Sequence, residues 1–539
     1  MNLSTGFSDD KTDKVDALFA QWDKINSPGC ALAIIQNSRI IYKRGYGMAN
    51  LELNVPITPQ SVFYIGSVSK QFVSACIGLL AIQGKLDLDD DIRKYIPEIP
   101  EYETPITVRH LIHHTSGMRD YLTLLGIAGL DFGTYHEQDV LDLLARQKEL
   151  NFEPGEEHLY SNSGYFMLSV IVHRASGKTL REFADEFIFK PLGMKNSHFH
   201  DDYMQLIKNR ATGYYPAGKG QYRNFISTFD NVGSGGLFTS IEDLFLWDQN
   251  FHTFKVGGKE LFDLMHTKSQ LNSGAELDYA FAIDLGSYKG LKTEEHGGAL
   301  GGYRSALTRF PEHNFSVVIL SNLSTANPSS LAYKIADIYL ADFYKEEQTE
   351  AETEHLKTIE LPEEKLKDKV GYYINTDSGA FYRIRLVKGQ LEFSGMGQRN
   401  TLGAVSEDEF VFTGIPQVIT LKFEKSEEGQ TTHLEITQEE SPVLFYKSFE
   451  PIKPTPEELK EYQGEYSSDE LETTFKIELI KNRLRFTHRN APPGTLQTNY
   501  KDIFRIGNIR LIFSRDSSGR ITSFFVNAGR VTNLRFYKK

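Results

Sequence analysis

The sequence predicts an α+β chain in which one sheet covered by helices is followed by two small all-β units. Three observations carry that expectation. Strand-type apolar runs stand early and late in the first 345 residues and bracket a long helical middle. A charged stretch poor in large apolar side chains, Lys345 to Glu364, then interrupts the chain. Beyond it the texture is β throughout, and it repeats.

The elements follow in order. Val15, Leu18, Phe19 and Trp22 recur at helical spacing and predict an amphipathic N-terminal helix. Ala31 to Gly47 reads as a β-hairpin, two β-rich runs flanking the turn residues Asn37 and Ser38. Helical patterns dominate from about residue 67 to 200. Phe315 to Leu323 (FSVVILSNL) is a buried strand, with a helical stretch through Ile335 and Tyr344 behind it. In the β-rich half, Gly371 and Gly464 are 93 residues apart, and the same offset pairs Leu366 with Leu459, Tyr373 with Tyr466, Ile384 with Ile477 and Phe393 with Phe486. Each repeat has short strands at hairpin spacing, as in a small closed barrel or a sandwich. Two units are too few for a solenoid, so they are duplicated domains. The expected boundaries are 1–345, a charged linker at 346–360, and β units at 361–450 and 454–539.

Composition narrows the function classes. A length of 539 residues suggests two to four domains, and 40% hydrophobic residues supply ordinary cores. The net charge of −13 argues against nucleic acid or an anionic membrane surface as partner. Cys30 and Cys76 cannot make a disulfide framework and form no metal-type pair; Cys76 reads as a small buried hydrophobe. The first residues, MNLSTGFSDDKTDK, carry no apolar signal region, and no apolar run approaches the ~18 residues of a membrane span. The expected location is cytoplasmic as given, or periplasmic or secreted if a leader was removed.

The chemistry concentrates in YIGSVSKQFVSACIGLLAIQGKL, Tyr64 to Leu86. Ser67 and Lys70 share one helix face, so the amine can reach the hydroxyl. Free N–H groups at a helix start favour a negative oxygen there. The apolar run desolvates the amine, and a neutral lysine can help deprotonate the serine. Ser-x-x-Lys alone is weak, since Ser8 and Lys11 also match it in a polar tail. Its bland reading is an N-capping serine with a snorkelling lysine. Three further stretches favour chemistry: TVRHLIHHTSGMRDY, Tyr160-Ser161-Asn162, and His296-Gly297-Gly298-Ala299.

In that chain order these motifs resemble the serine β-lactamase and penicillin-binding-protein superfamily, on its class C β-lactamase and D-aminopeptidase side. HTSGM, FEPG, YSNSGY and PLGMKNSHF look like its connecting segments, and the likeness spans roughly residues 10 to 345. SVSKQF, RDY, HGGAL and YSSDEL are most similar to D-aminopeptidases that end in two lipocalin-like barrels. The resemblance implies a β-lactamase/transpeptidase-like domain, an antiparallel sheet with helices, followed by two small antiparallel barrels. It implies Ser67 as acylated nucleophile, Lys70 as the group assisting its deprotonation, and Tyr160 as the proton shuttle to the leaving group and then the activator of water. Asn162 would bind the substrate amide, and the N–H groups of Ser67 and Ala299 would form an oxyanion hole. Gly297 and Gly298 would let that strand approach the substrate. His296 stands where β-lactamases carry lysine, which disfavours substrates that need a cation for their carboxylate.

Other features take blander readings. Lys292-Thr293-Glu294 imitates the lysine motif but no glycine follows. His110, His113 and His114 could suggest a metal, but a structural role is preferred, with His114 at the family's structural histidine. Gly233 to Phe251 reads as a turn before an amphipathic helix. The barrels are expected to be filled by their own side chains. His488 to Tyr500 (HRNAPPGTLQTNY) is expected as a loop stiffened by two prolines, the counterpart of the loop that D-aminopeptidases send toward their site. It offers no carboxylate for a substrate ammonium before Asp502.

The expected function is a metal-free, cofactor-free serine hydrolase acting on amide bonds of small peptides or D-amino-acid derivatives. A carboxylesterase and a weak class C-type β-lactamase rank below it. A catalytically silent binding protein is the alternative from another class, and it predicts missing catalytic groups. The expected partners are a peptide, amide or ester substrate, with no nucleic acid, no membrane span, and a homo-oligomer left open.

Overall fold

Asn37 and Ser38 both adopt left-handed backbone, φ 50° and 62°, which gives a two-residue turn the twist its flanking strands need. That hairpin starts the main sheet. In a computed structural model, residues 10–130, 133, 135–344, 358–395, 398–415, 418–428, 430–438, 443–489 and 491–539 are described. The elements that position the site are α1 (Asp10–Phe19), β1 (Cys30–Gln36), β2 (Arg39–Tyr46), α2 (Ser69–Ile82), α3 (Asn162–Ser176), β3 (Asp284–Tyr288), β4 (Leu291–Leu300), β5 (Tyr303–Phe310), β6 (Phe315–Ser321) and α4 (Pro328–Tyr339).

The strands form one six-stranded antiparallel sheet in the order β3-β4-β5-β6-β1-β2. Early β1 lies between late β6 and β2, so the two ends of this part of the chain share one sheet. All seven residues of β6 are buried, as a strand covered on both faces requires. One face packs Leu32, Ile34, Val317 and Ile319 against Val15 and Phe19 of α1 and Ile335 of α4. α1 ends at Phe19, and Trp22, expected within it, lies beyond the helix against this core. α2 is buried along nearly its whole length, Cys76 included, so it is a core helix rather than an amphipathic one. A 3-10 turn over Gly66–Val68 precedes it, so Ser67 sits in that turn and Lys70 in the first turn of α2.

The chain divides into two compact units, Met1–Tyr121 with Asp131–Glu347, and Leu122–Leu130 with Gln348–Lys539. The second unit carries the duplication. Its first barrel is closed, eight antiparallel strands running from Gly371–Asn375 to Leu444–Phe449. Tyr373, Tyr382, Ile384, Phe393, Phe410, Leu421 and Leu434 fill it. The second repeat forms a nine-stranded antiparallel sheet. The 93-residue offset reappears in the coordinates: helix Glu363–Lys367 corresponds to Pro456–Lys460, and strand Ala380–Val387 to Thr473–Ile480. Tyr373 Oη donates to Lys369 O at 2.8 Å, and its counterpart Tyr466 Oη donates to Tyr462 O at 3.0 Å.

One expectation changes. The stretch His488 to Tyr500 is not a loop: Ala491–Thr495 and Gln497–Tyr500 are strands at the two ends of the nine-stranded sheet. The prolines are tolerated because an end strand leaves one backbone edge without a ladder to complete. The charged linker lies almost wholly outside the described residues. Within the second unit, a Cβ on Gly129 would fall 2.3 Å from His488 Cε1, so the short segment Leu122–Leu130 packs closely on the second repeat. Among the described residues no helix is long and apolar enough to cross a membrane.

Candidate active site

Glycine brings the two halves of the site together. Gly66 has φ +54°, and a Cβ there would lie 2.5 Å from Ala299 N. A Cβ on Gly298 would lie 2.0 Å from Ile65 O. Any side chain at either position would hold β4 away from the turn that carries Ser67. Ser305, opposite Gly298 on β5, donates its hydroxyl to Ile65 O at 2.6 Å and fastens the turn to the sheet.

Lys70 is fully buried, so its amine must be paired. Nζ lies 3.0 Å from Ser67 Oγ, 3.1 Å from Asn162 Oδ1 and 2.5 Å from Ser234 O. Two of these partners can only accept, and the third is a hydroxyl that can turn either way. The set therefore suits an ammonium donating three bonds, and equally a neutral amine donating two and receiving the serine proton. Nζ also stands 4.9 Å from the Tyr160 ring centroid and 5.4 Å from that of Tyr165.

Asn162 begins α3, and its orientation is imposed from the RDY segment. Asp120 Oδ2 accepts from Asn162 N at 2.7 Å and from Nδ2 at 2.8 Å. The neighbours are stitched likewise: Ser163 Oγ donates to Arg119 O, Tyr121 N donates to Ser163 Oγ, and Ser161 N donates to His114 Nδ1. Tyr121 Oη and Ser234 Oγ are 3.0 Å apart, which supports the loop whose carbonyl holds Lys70.

His296 lies on β4, buried to 5% exposure. Nδ1 is 2.6 Å from Gly297 O and Nε2 is 3.0 Å from Tyr279 Oη. Burial, then the charge of Lys70, push its pKa down to about 4, so the imidazole is neutral at physiological pH. Tyr160 packs its ring 4.2 Å from that of His114 and 6.3 Å from that of His296.

The three-histidine cluster divides. His110 caps its own short helix through Thr107. His113 is buried against Phe281, with Nδ1 on Tyr279 O and its pKa lowered to about 4 by burial. His114 reaches the site through Tyr279. Among the described residues no three His, Cys, Asp or Glu side chains stand together as a metal site.

The structure thus gathers Ser67, Lys70, Tyr160, Asn162 and His296 and sets Gly298 and Ala299 beside the turn that carries Ser67. It adds Asp120, Ser234 and Tyr279. RDY and the Gly233 to Phe251 stretch both stand out in the sequence, where the second reads as a turn before a helix. That helix exists, Ile241–Thr253, yet the turn also supplies the carbonyl that holds Lys70.

A serine–lysine pair at the head of a buried helix, a tyrosine and asparagine at the head of a second, and a His-Gly-Gly strand beside them make up the candidate site. The β-lactamase family model matches residues 15–340, and the chain belongs to that family. It is 29% identical over 319 residues to a D-aminopeptidase of Brucella anthropi, covering 58% of this chain and 59% of that protein. It is 30% identical over 298 residues to penicillin-binding protein 4* of Bacillus subtilis, covering 52% and 65%. The matched region thus spans about three-fifths of these relatives' length. Among solved structures, an octameric penicillin-binding protein homologue from Pyrococcus abyssi aligns with TM-score 0.56 and 23% identity over 81% of this chain and all of that one. The D-amino acid amidase from Ochrobactrum anthropi SV3 aligns at 0.51 and 21% over 62% of this chain and 99% of that one. At these identities the structural matches speak to fold: a β-lactamase/transpeptidase-like domain followed by two closed or nearly closed barrels.

Proposed function

We propose that this chain is a serine hydrolase that cleaves amide bonds of small peptides or D-amino-acid derivatives through an acyl-enzyme on Ser67. The observation that carries the reading is Lys70 Nζ at 3.0 Å from Ser67 Oγ, with its other two bonds to Asn162 Oδ1 and Ser234 O. With the amine neutral, Ser67 Oγ adds to the substrate acyl carbon and its proton passes to Nζ. The N–H groups of Ser67 and Ala299 receive the oxyanion; one such donor is worth about 3 kcal/mol in the transition state. The C–N bond then breaks, and the leaving amine takes a proton from Tyr160 Oη, which Lys70 resupplies. Water adds to the acyl carbon as Tyr160 Oη takes its proton and passes its own to the neutral Lys70 amine, and the ester bond to Ser67 breaks as Oγ takes that proton back from Nζ. Neutral His296 offers no cation to a substrate carboxylate, so β-lactam hydrolysis ranks below amide cleavage.

A carboxylesterase is the second reading, and Asp502 favours it. This carboxylate is engaged by Arg515 at 2.8 Å and by Tyr462 Oη at 2.7 Å, and is not free for a substrate ammonium. The names of the curated relatives support the amide reading. In the same reading residues 1–345 are the hydrolase domain, and 361–450 and 454–539 its two barrels. The octameric homologue supports a homo-oligomer, which light scattering tests. Hydrolysis of D-alanine p-nitroanilide by the wild type, abolished in Ser67→Ala, is the expected result. A well-folded wild type that turns over only ester substrates would overturn the amide reading in favour of the esterase.

A further inference from the structure

We infer that Tyr279, a residue outside the catalytic motifs, is a positioning residue that locks His296 into one tautomer and thereby clamps the glycine strand leading to Ala299. The inference deepens the proposed hydrolase reading and rests on it. It follows from the direction of each hydrogen bond in a chain that joins two motifs.

One end is fixed by Ser161, the middle residue of Tyr160-Ser161-Asn162. A backbone N–H can only donate, and Ser161 N lies 3.1 Å from His114 Nδ1. His114 therefore carries its proton on Nε2, 3.2 Å from Tyr279 Oη. The other end is fixed by Gly297, inside the His-Gly-Gly strand. A carbonyl can only accept, so His296 carries its proton on Nδ1, 2.6 Å from Gly297 O. Its bare Nε2 needs a donor and finds Tyr279 Oη at 3.0 Å. The Tyr279 hydroxyl must then accept from His114 and donate to His296. The chain has this one arrangement of protons.

The surroundings reinforce it. Tyr279 is 6% exposed, and burial in company with Tyr165, Tyr160 and Asp284 holds its phenol well above the usual range, so it stays a donor. The Tyr165 hydroxyl, which also meets that of Tyr279, donates to Ile112 O and lies 3.1 Å from Ser74 Oγ. A second proton on His296 would give Tyr279 two facing donors and remove His296 as the acceptor of its O–H.

The consequence lies in the backbone. Gly298 must be glycine for close approach, and two glycines in a row leave the strand loose. The His296 imidazole bonded to Gly297 O ties down the first of those peptides, two residues before the N–H of Ala299. Tyr279 keeps the imidazole turned so that it can do this. It touches no reacting atom and acts through His296.

The test is Tyr279→Phe in the full chain, which keeps the ring and removes the hydroxyl. With D-alanine p-nitroanilide, or an ester if that is the substrate, kcat should fall about tenfold while KM moves less than about threefold, the pattern of lost transition-state stabilisation. In a His296→Gln background the same change should cost little more, because its route is gone. A kcat within about twofold of wild type, or a full further loss in the His296→Gln background, would overturn the proposal. A second measurement needs neither variant folding nor substrate. ¹⁵N shifts of the labelled wild-type histidines should show His296 as the neutral Nδ1–H tautomer at pH 7. An Nε2–H tautomer would overturn the inference even in an active enzyme. The expected tautomer in a protein that hydrolyses nothing would support it while rejecting the hydrolase reading.

Discussion

Asp120 holds Asn162 twice, through the backbone N–H at 2.7 Å and through the side-chain amide at 2.8 Å. One carboxylate oxygen thus starts α3 and decides which way the asparagine faces. With Nδ2 turned to Asp120, Oδ1 is left to Lys70 at 3.1 Å. The carboxylate bears on Ser67 at two removes.

Asp120→Ala should therefore cripple catalysis without touching Ser67. It frees the Asn162 amide to rotate and leaves a buried backbone N–H without its acceptor, which costs about 1–3 kcal/mol of stability. Separately, we expect kcat/KM to fall about a hundredfold, about 2.7 kcal/mol of transition-state stabilisation. Steady-state kinetics and a urea midpoint check the two parts. Activity near wild type would show that Asn162 does not need this anchor.

Gly298→Ala should separate the two halves of the site. The new methyl would lie 2.0 Å from Ile65 O and 2.3 Å from Ser305 Oγ, and the first contact is backbone that cannot swing aside. We expect destabilisation of about 2 kcal/mol or more and loss of covalent labelling of Ser67 by a fluorophosphonate. Intact mass reads the label, and a folded, fully labelled variant would contradict the close approach.

Mild acid should weaken the fold through its buried histidines. His113 and His296 have folded pKa values lowered from 6.5 to about 4. Between those values the unfolded chain binds protons that the folded chain refuses. Their contribution is complete above pH 6.5 and is lost as pH falls toward 4; each is worth on the order of 3 kcal/mol. Urea midpoints should fall from pH 7.5 to pH 5, and less steeply in His296→Gln. An unchanged slope in that variant would mean that His296 is not the buried neutral base described.

Much of the site was legible because side chains at fixed spacings carried it. Ser67 with Lys70, Tyr160 with Asn162, and His296 before two glycines are local patterns, and the fold brought them together. The duplication was legible for a similar reason, since inward-facing residues such as Tyr373 and Tyr466 kept their places. What escaped is non-local or lies in the backbone. Asp120 meets Asn162 only after 42 residues of folding, Ser234 contributes a carbonyl that any residue would have, and Tyr279 gains its role from the two histidines around it. Pro492, Pro493 and Gly494 look like loop in any local reading, and only their place at the end of a sheet makes them strand.

The segment Leu122–Leu130 gives the chain a timetable. Thr123 lies in van der Waals range of the site where Gly529 would carry a Cβ, and Gly129 lies against His488. A ribosome makes this segment and then about 400 further residues before all of its partners exist, on the order of a minute at ordinary synthesis rates. Residues made late, around His488 and Gly529, thus complete the packing of a segment that begins two positions after the carboxylate that sets Asn162.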